Sequence, residues 1–366
     1  MTEPQLSELI VDHAAIRHNL AVLRDHVAPA ELMLVVKADA YGHGLREVAA
    51  TGLAAAVPWL GVLTVPNGLL LRSLWFSDEV PATQQPRLFA WLLDPDDDLE
   101  HAVAGGIELG VSTVEQIARI RAAASAVGRL ARVHLKFDSG LARDGATAAE
   151  WPELVAAAVA GQDEGDLALV AAWSHLAEAS EDEDALARKR YLDAVRAAEE
   201  AGARFELRHL AASSASWLRP DFRLDLVRVG AHAYGIPVPD GLTARDMGLV
   251  PALSLRSRVT EVRDGVATVP LGWLDGLPAG RLDGAAVGIA GQRYPVRPGS
   301  MAAAEFQVDL PAGARVAAGD EVWVFGAGIH GEPTVNEWAD AAGTIGEELV
   351  CRIGVRLPRR HIGGDA

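Results

Sequence analysis

Short apolar runs alternate with longer amphipathic segments up to about residue 230 of the sequence. Eight of these runs have the length and aliphatic composition of buried strands: Leu32–Val36, Leu60–Val65, Leu88–Leu93, Ile107–Val111, Arg132–Phe137, Leu167–Trp173, Phe205–Leu210 and Leu224–Val229. Between them, apolar residues recur at helical spacing, for example over 113–126 and 184–202. Apolar strands that alternate with helices indicate a parallel sheet covered on both faces, and eight repeats in roughly 200 residues favour a (β/α)8 TIM barrel.

The pattern changes near residue 240, where helical periodicity fades. Alternating segments separated by Gly and Pro follow, over 258–269, 285–296, 304–310 and 321–326. Such segments are typical of a mostly antiparallel β domain. We therefore predict an α/β chain with a barrel domain over 1–240 and a β domain over 241–366, with residues 1–10 as a candidate addition to the second domain.

Composition and charge narrow the class of protein. The chain has 366 residues, half of them hydrophobic, and its 50 acidic against 33 basic residues give a net charge of −17. This charge argues against a general nucleic-acid binder and against adsorption to an anionic membrane. The single cysteine, Cys351, excludes an internal disulfide, and no Cys or His cluster has zinc-site spacing, so no metal is expected. With neither a secretory signal nor a membrane-length apolar run, we expect a cytoplasmic protein.

The predicted strand ends carry polar residues, and the chemistry of a TIM barrel lies at the carboxyl ends of its strands. The residues at or just beyond these ends include Lys37, Asp39, Tyr41, Lys136, Asp138, Ser139, Arg143, Ser174, His175, Ser213, Ser214, Arg228 and Gly230. Two of the three lysines in the chain are among them, whereas the third, Lys189, lies in a predicted helix. Either lysine alone could be an ordinary strand-end charge. Their joint placement favours a chemical role, because lysine, unlike arginine, can form a Schiff base.

Several segments resemble those of the alanine racemase family. VVKADAYGHG (Val35–Gly44) is similar to its cofactor-lysine motif, and VHLKFDSGLARDG (Val133–Gly145) to its VHLKxDTGMGRxG segment. WSH (Trp173–His175), LVRVGAHAYG (Leu226–Gly235) and VPLGWLDG (Val269–Gly276) also match, so the resemblance covers nearly the whole chain. It implies a barrel that holds pyridoxal 5'-phosphate, a C-terminal β domain, and a homodimer with shared active sites that takes an amino acid as its small-molecule substrate.

The resemblance also implies roles for cofactor-binding residues. Lys37 would form the aldimine with the cofactor and act as one of two proton-transferring bases. Tyr41, Ser213 and the backbone N–H groups of Gly230 and Ala231 would hold the phosphate, since N–H groups at a strand-to-helix turn form an anion site.

Four further residues complete the implied site. Arg228 would face the pyridine nitrogen and leave it unprotonated, which makes the ring a weaker electron sink. His175 would lie beneath the ring and contact Arg228. Arg143 would pair with the substrate carboxylate, and Lys136, which is carbamylated in many family members, would orient Arg143.

The sequence departs from the family where the second domain normally contributes to the site. The family's second base is a tyrosine in a loop that is reduced here to RDGVA (263–267). Of the four tyrosines in the chain, only Tyr294 lies in the predicted second domain. Other family positions are also changed, to Ala212, Trp273, Ala303, Ala304 and Glu347. We expect Glu347 to face away from the phosphate and the pocket mouth to be more open than in the family.

Three functions remain open at this point. The first is a racemase-like enzyme that acts at the Cα of an amino acid through Lys37, with a substitute for the missing base. The second is a related enzyme that performs decarboxylation, aldol or elimination chemistry on a larger amino substrate. The third is a non-catalytic cofactor-binding homologue. Retention of Lys37, Arg143, His175 and Arg228 argues against the third, and Arg143 with Lys136 favours a substrate that keeps its α-carboxylate.

Overall fold

The computed structural model describes residues 6–75, 85–238, 241–280 and 282–364. The chain divides into two compact units. The barrel unit comprises Leu23–Lys37 and Gly52–Gly230, and the β unit comprises Met1–Val22, Ala38–Thr51 and Ala231–Ala366.

The barrel unit is built on one eight-stranded parallel sheet. Its strands are β2 (Glu31–Val35), β3 (Trp59–Thr64), β4 (Arg87–Leu92), β5 (Ile107–Val111), β6 (Ala131–Lys136), β7 (Leu167–Trp173), β8 (Leu207–His209) and β9 (Leu226–Val229). Backbone hydrogen bonds from the N–H of Asp225 to the carbonyl of Arg208 (3.2 Å) and from Arg228 to Ala211 (3.1 Å) bring β9 back to β8 and nearly close the barrel. All eight predicted strands are confirmed, with ends shifted by at most a few residues.

Helices connect these strands, as the periodicity predicted. Their bounds are His13–Val27, Leu45–Ala54, Val65–Trp75, Leu99–Ala104, Val114–Val127, Trp151–Glu164, Glu181–Glu200 and Ser213–Leu218. The acidic run 178–184, which we interpret from the sequence as a solvated loop, is indeed largely exposed, but its second half forms the first turn of a helix capped by Ser180. Carboxylates are favourable there because the helix dipole places partial positive charge at the N-terminus.

Large apolar side chains fill the interior of the barrel unit. Met33, Trp59, Phe89, Trp173 and Leu226 belong to one buried cluster. Burying a side chain of this size stabilises the fold by about 1.5–3 kcal/mol. The dominance of apolar residues in every strand therefore explains why the barrel forms.

Within the described ranges, the β unit contains nine strands in two sheets. Its six-stranded sheet has the order β14-β13-β16-β10-β1-β17, and its three-stranded sheet the order β11-β12-β15. These strands are β1 (Glu8–Asp12), β10 (Leu253–Arg258), β11 (Glu261–Arg263), β12 (Val266–Val269), β13 (Ala286–Ile289), β14 (Gln292–Pro295), β15 (Phe306–Asp309), β16 (Glu321–Phe325) and β17 (Arg359–Ile362). All pairs are antiparallel except β1 with β17, so the prediction of a mostly antiparallel domain is confirmed.

Two helices of the β unit are absent from the sequence prediction, Val335–Ala342 and Gly346–Arg352. The first begins with a capping box in which the Thr334 hydroxyl accepts from the Glu337 N–H and the Glu337 carboxylate accepts from the Thr334 N–H. Helices this short are marginal alone and depend on tertiary packing, here through the buried Trp338. Their periodicity was therefore too brief to stand out in the sequence.

Candidate functional site

Polar side chains from several strand ends of the barrel unit converge on His175. Lys37 follows β2, Lys136 ends β6, His175 follows β7, and Arg228 lies in β9. Burial lowers the pKa of His175 well below its ordinary value, and the charges of Arg228, Arg143, Lys136 and Lys37 lower it further. Five predicted site residues are thus close enough to interact electrostatically, and the imidazole among them is neutral at physiological pH.

Arg228 is the most constrained of these cations. Its Nη2 donates to the carbonyls of Ser174 and Leu210, both at 2.8 Å, and to Nδ1 of His175 at 3.1 Å. The side chain is 5% exposed. Burial lowers the pKa of Arg228 to about 10, so the guanidinium still carries its charge at neutral pH.

Arg228 also contacts buried residues that the sequence analysis did not select. Its Nη1 lies 2.8 Å from Nδ1 of His209, whose Nε2 lies 2.9 Å from Nδ1 of His134. Nε2 of His134 is in turn 2.8 Å from a carboxylate oxygen of Glu108. A signal for these residues existed, because Glu108, His134 and His209 are polar positions inside strands that otherwise read as buried and apolar.

Lys136 is 3% exposed and forms an ion pair with Asp144. Its ammonium lies over the ring of Trp173, 4.3 Å from the ring centroid. Burial lowers the pKa of Lys136, and the carboxylate of Asp144 opposes that shift. The sequence analysis missed Asp144, which lies beside Arg143 in the chain and looked like an ordinary loop carboxylate.

Arg143 is exposed and forms no hydrogen bond or ion pair with any other residue that the structure describes. Its charge nevertheless lowers the pKa of both Lys136 and His175, which places it near them. A guanidinium presents paired donors that match a carboxylate. Direct support of Arg143 by Lys136 stays a prediction, because Lys136 is paired with Asp144.

Ser213 and Gly230 lie together in the barrel unit. The N–H of Gly230 donates to the Ser213 hydroxyl oxygen at 3.2 Å. Ser213 is the first residue of the helix Ser213–Leu218, and Gly230 directly follows β9. A hydroxyl and backbone N–H groups at such a turn are ligands that suit a phosphate. Ala231 is the next residue and opens the 3-10 turn Ala231–Tyr234 of the β unit.

The backbone directly after Lys37 is left-handed. Ala38, Asp39, Ala40 and Tyr41 have φ between 52° and 55°. Non-glycine residues in this conformation cost roughly 1–2 kcal/mol each, so the surrounding structure must hold the turn. The N–H of Gly42 donates to the carbonyl of Ala38, and the N–H groups of the next turn bond to Asp39. The turn therefore ends β2 abruptly just where Lys37 stands.

Tyr41 itself is buried within the β unit. Its ring lies 5.1 Å from the ring of Tyr234, centroid to centroid. Burial raises the pKa of Tyr41, and the charge of Glu347 raises it further. The hydroxyl thus stays protonated and can donate a hydrogen bond. Glu347 acts on Tyr41 electrostatically, and its orientation relative to a phosphate stays a prediction.

The segment 263–267, where the sequence comparison predicts the loss of the family's tyrosine, is a tight hairpin. Strands β11 and β12 are joined by Asp264 and Gly265, whose φ values are 50° and 75°. Two central residues with positive φ are typical of a type I′ turn. Tyr294, the one tyrosine of the predicted second domain, lies in β14 and is 4% exposed, and its hydroxyl donates to the side chain of Gln292 at 3.0 Å.

The described ranges show neither a metal site nor a membrane-spanning helix. There, no group of three or more His, Cys, Asp or Glu side chains is placed to hold a metal ion. No helix in the same ranges is both long and apolar enough to cross a membrane.

The fold and the residues at its strand ends define a class of enzyme: a (β/α)8 barrel with a lysine after its first strand, followed in sequence by a β domain. The family described as the N-terminal domain of alanine racemase matches residues 11–237, and the family described as its C-terminal domain matches residues 255–361. This chain belongs to the alanine racemase family, whose members are isomerases.

Individual relatives support this assignment over the full length. The chain is 38% identical to the alanine racemase of Beutenbergia cavernae, covering 100% of this chain and 99% of that protein. It is 38% identical to the alanine racemase of Mycobacterium tuberculosis, covering 97% of this chain and 96% of that protein. The crystal structure of alanine racemase from D-cycloserine-producing Streptomyces lavendulae superimposes with a TM-score of 0.91 at 36% identity, covering 99% of this chain and 98% of that one.

Proposed function

We propose that this protein is a pyridoxal 5'-phosphate-dependent racemase that moves the Cα proton of an amino acid, and that it works without the family's tyrosine base. The observation that carries the proposal is that Arg228 donates to Nδ1 of His175 at 3.1 Å, at a position where the charges of Lys37 and Arg143 also act on the imidazole. This cationic arrangement suits a ligand with phosphate and carboxylate groups, and it includes the one residue type that can bond covalently to an aldehyde.

The chemical types of the residues present suit pyridoxal 5'-phosphate. Ser213 and the N–H of Gly230 would bind its phosphate, and Lys37 would bond to its aldehyde carbon. The phosphate-binding roles of Tyr41 and Ala231, which belong to the β unit, stay predictions from the family resemblance. Arg228 would face the ring nitrogen, and its permanent charge would keep that nitrogen unprotonated. When bound, the cofactor delocalises the electron pair left at Cα after the proton departs.

Each remaining residue has a task in this proposal. Arg143 binds the substrate carboxylate through its guanidinium, which has no other partner in the described part of the chain. The Lys37 amine takes the proton from Cα on one face and returns it to the same atom in the reverse direction. His175 keeps Arg228 charged and in position. Lys136 holds the loop that carries Arg143. An intact carboxylate clamp favours racemisation over decarboxylation.

In the family, a tyrosine serves as the base on the opposite face of Cα. The hairpin over 263–267, where this tyrosine would lie, contains none. Losing a positioned acid or base typically lowers a rate by about 10²–10⁴. We therefore infer slow racemisation in which water or another side chain exchanges the second proton. Chemistry on a larger amino substrate is the second candidate, since Ala303 and Ala304 are smaller than the family residues that they replace.

The proposal extends to the setting of the enzyme. It acts as a cytoplasmic homodimer on an amino-acid substrate, with neither nucleic acid nor membrane as a partner. We keep residue 240 as the proposed boundary in sequence between the barrel and β domains, close to residue 237, where the match to the N-terminal family ends; the compact barrel unit itself ends at Gly230. Each of these statements rests on family membership and on the net charge of −17.

Heavy-water exchange tests the proposed reaction. When a panel of L- and D-amino acids is incubated in D₂O with pyridoxal 5'-phosphate, deuterium should appear at Cα of the substrate and the opposite enantiomer should accumulate. Lys37→Ala should abolish the exchange and the visible absorbance that borohydride bleaches. Lys189→Ala is the matched control, because Lys189 lies on an exposed helix face and, among the described residues, pairs only with Asp193. Release of carbon dioxide or an aldehyde without exchange would contradict racemisation and favour the second candidate.

A further inference from the structure

Three polar side chains that have no task in the proposed function are buried in the interior of the barrel unit. Glu108 in β5, His134 in β6 and His209 in β8 are 2%, 0% and 0% exposed. The ring of Phe89 stacks on His134 with centroids 4.2 Å apart. Burying polar groups in an apolar core costs free energy unless each finds a hydrogen-bond partner. Their presence therefore calls for a specific arrangement.

That arrangement is continuous from Glu108 to Arg228. The successive distances are 2.8 Å from Glu108 to His134, 2.9 Å from His134 to His209 and 2.8 Å from His209 to Arg228. We call these four residues the interior network. Both ring nitrogens of each histidine are used, so neither imidazole has a nitrogen to spare.

Only one set of protons satisfies every bond of the interior network. A guanidinium can only donate, so Nδ1 of His209 must accept from Arg228. A neutral His209 then carries its proton on Nε2 and donates it to Nδ1 of His134. His134 in turn donates from Nε2 to the carboxylate of Glu108. If His134 were charged, its Nδ1–H would donate to Nε2 of His209, and the one proton of a neutral His209 would then lie on Nδ1, against the N–H of Arg228.

The protonation states of the four residues agree with this direction of hydrogen-bond donation, from Arg228 at one end toward Glu108 at the other. Burial lowers the pKa of His209 and of His134, so both rings are neutral near pH 7. Burial alone would raise the pKa of Glu108, but the hydrogen bonds from His134 and Arg87 and the charge of Arg87 outweigh it and lower the pKa to about 2. A carboxylate thus stands at one end, a guanidinium at the other, and two neutral imidazoles between them.

We propose that Glu108 is a positioning residue for Arg228, acting through His134 and His209. By accepting from His134, Glu108 selects the tautomer of both histidines. His209 then presents a bare nitrogen to Arg228, which holds the guanidinium in the orientation from which it also donates to His175 and to two backbone carbonyls.

The chain provides a matched control at Glu206. Arg87 and Arg132 both contact Glu108, at 2.5 Å and 3.2 Å, and both also contact Glu206, at 3.3 Å and 3.0 Å. Glu206 has no contact with His134, and its side chain is 45% exposed. Glu206→Gln therefore changes the same arginine cluster without changing the network.

Nitrogen-15 NMR of the histidine rings in the full-length protein tests the proposal. The spectrum is recorded at pH 7, before and after addition of pyridoxal 5'-phosphate, with signals assigned from His134→Gln and His209→Gln. In the native protein both rings should be neutral and protonated on Nε2. Glu108→Gln should shift the signals of both rings, and Glu206→Gln should leave them in place. Only the effect on turnover rests on the proposed function: Glu108→Gln should slow Cα exchange by roughly tenfold, as loss of a charge-assisted hydrogen bond would.

Several outcomes would overturn the proposal. Either ring protonated on Nδ1, or charged, in the native protein contradicts the network without the use of any variant that could misfold. A His209 signal that does not move in Glu108→Gln contradicts coupling through the two rings. An exchange rate in Glu108→Gln equal to that in Glu206→Gln contradicts the positioning role. If instead the proposed function is wrong, the native protein will show no Cα exchange, while both histidines will still have the stated tautomers.

Discussion

At the scale of single residues, the site is defined by buried cations and the groups that compensate them. Lys136 is 3% exposed and is balanced by Asp144, whose side chain is about a third exposed. Removing one partner of such a pair leaves a charge without compensation, which costs more than the pair itself contributes. The stability of the loop that carries Arg143 therefore depends on Asp144.

Asp144→Asn should lower the free energy of unfolding by about 1–3 kcal/mol, because an amide compensates the Lys136 ammonium poorly. Urea denaturation followed by tryptophan fluorescence measures the change. Asp193→Asn is the control, since it removes the same interaction from the exposed Lys189 and should cost less than about 0.5 kcal/mol. Equal losses in the two variants would show that burial of Lys136 does not matter.

At the scale of elements, the left-handed turn after Lys37 depends on a close approach to the rest of the β unit. Gly42 has a φ of 77°, and a Cβ there would lie 2.6 Å from the carbonyl oxygen of Val350. Both the conformation and the available space thus require glycine at this position. Backbone geometry therefore explains the first glycine of the YGHG segment, beside any chemical role of the motif.

Gly42→Ala should destabilise the protein by about 2–4 kcal/mol, from left-handed strain plus the contact with Val350. Gly128→Ala should cost only about 1–2 kcal/mol, because Gly128 is also left-handed (φ 62°) but no atom lies within 4 Å of its added Cβ. Thermal unfolding of the two variants provides the comparison. A Gly42→Ala variant as stable as Gly128→Ala would mean that the backbone near Val350 relaxes freely.

At the scale of the whole molecule, an acidic protein contains a local cluster of cations and several neutral buried histidines. Burial lowers the pKa of His43 to about 4, and it also lowers the pKa of His134, His175 and His209. Such a histidine contributes its full stability above pH 6.5, and that contribution is lost as the pH falls toward its folded value, because the unfolded chain then binds the proton more readily. The fold is therefore less stable in acid.

The free energy of unfolding should therefore fall steadily between pH 7 and pH 4, with His43 alone contributing up to about 3 kcal/mol of the loss. Urea titrations at several pH values in this range measure the slope. His43→Asn keeps a donor near the Ala40 carbonyl, does not titrate here, and should flatten the slope. An identical pH dependence in the two proteins would contradict a neutral His43.

The sequence by itself determined the order of the eight barrel strands, the mostly antiparallel β domain and the family. It also identified Lys37, Lys136, Arg143, His175 and Arg228 as candidates. These features are local, because strands follow from continuous apolar runs and barrel chemistry from the residues just beyond them. Only the tertiary structure decided that Lys136 pairs with Asp144 and that Glu108, His134 and His209 join Arg228. These partners come from different strands or loops, so their distances depend on sheet register and barrel closure, which no local pattern encodes.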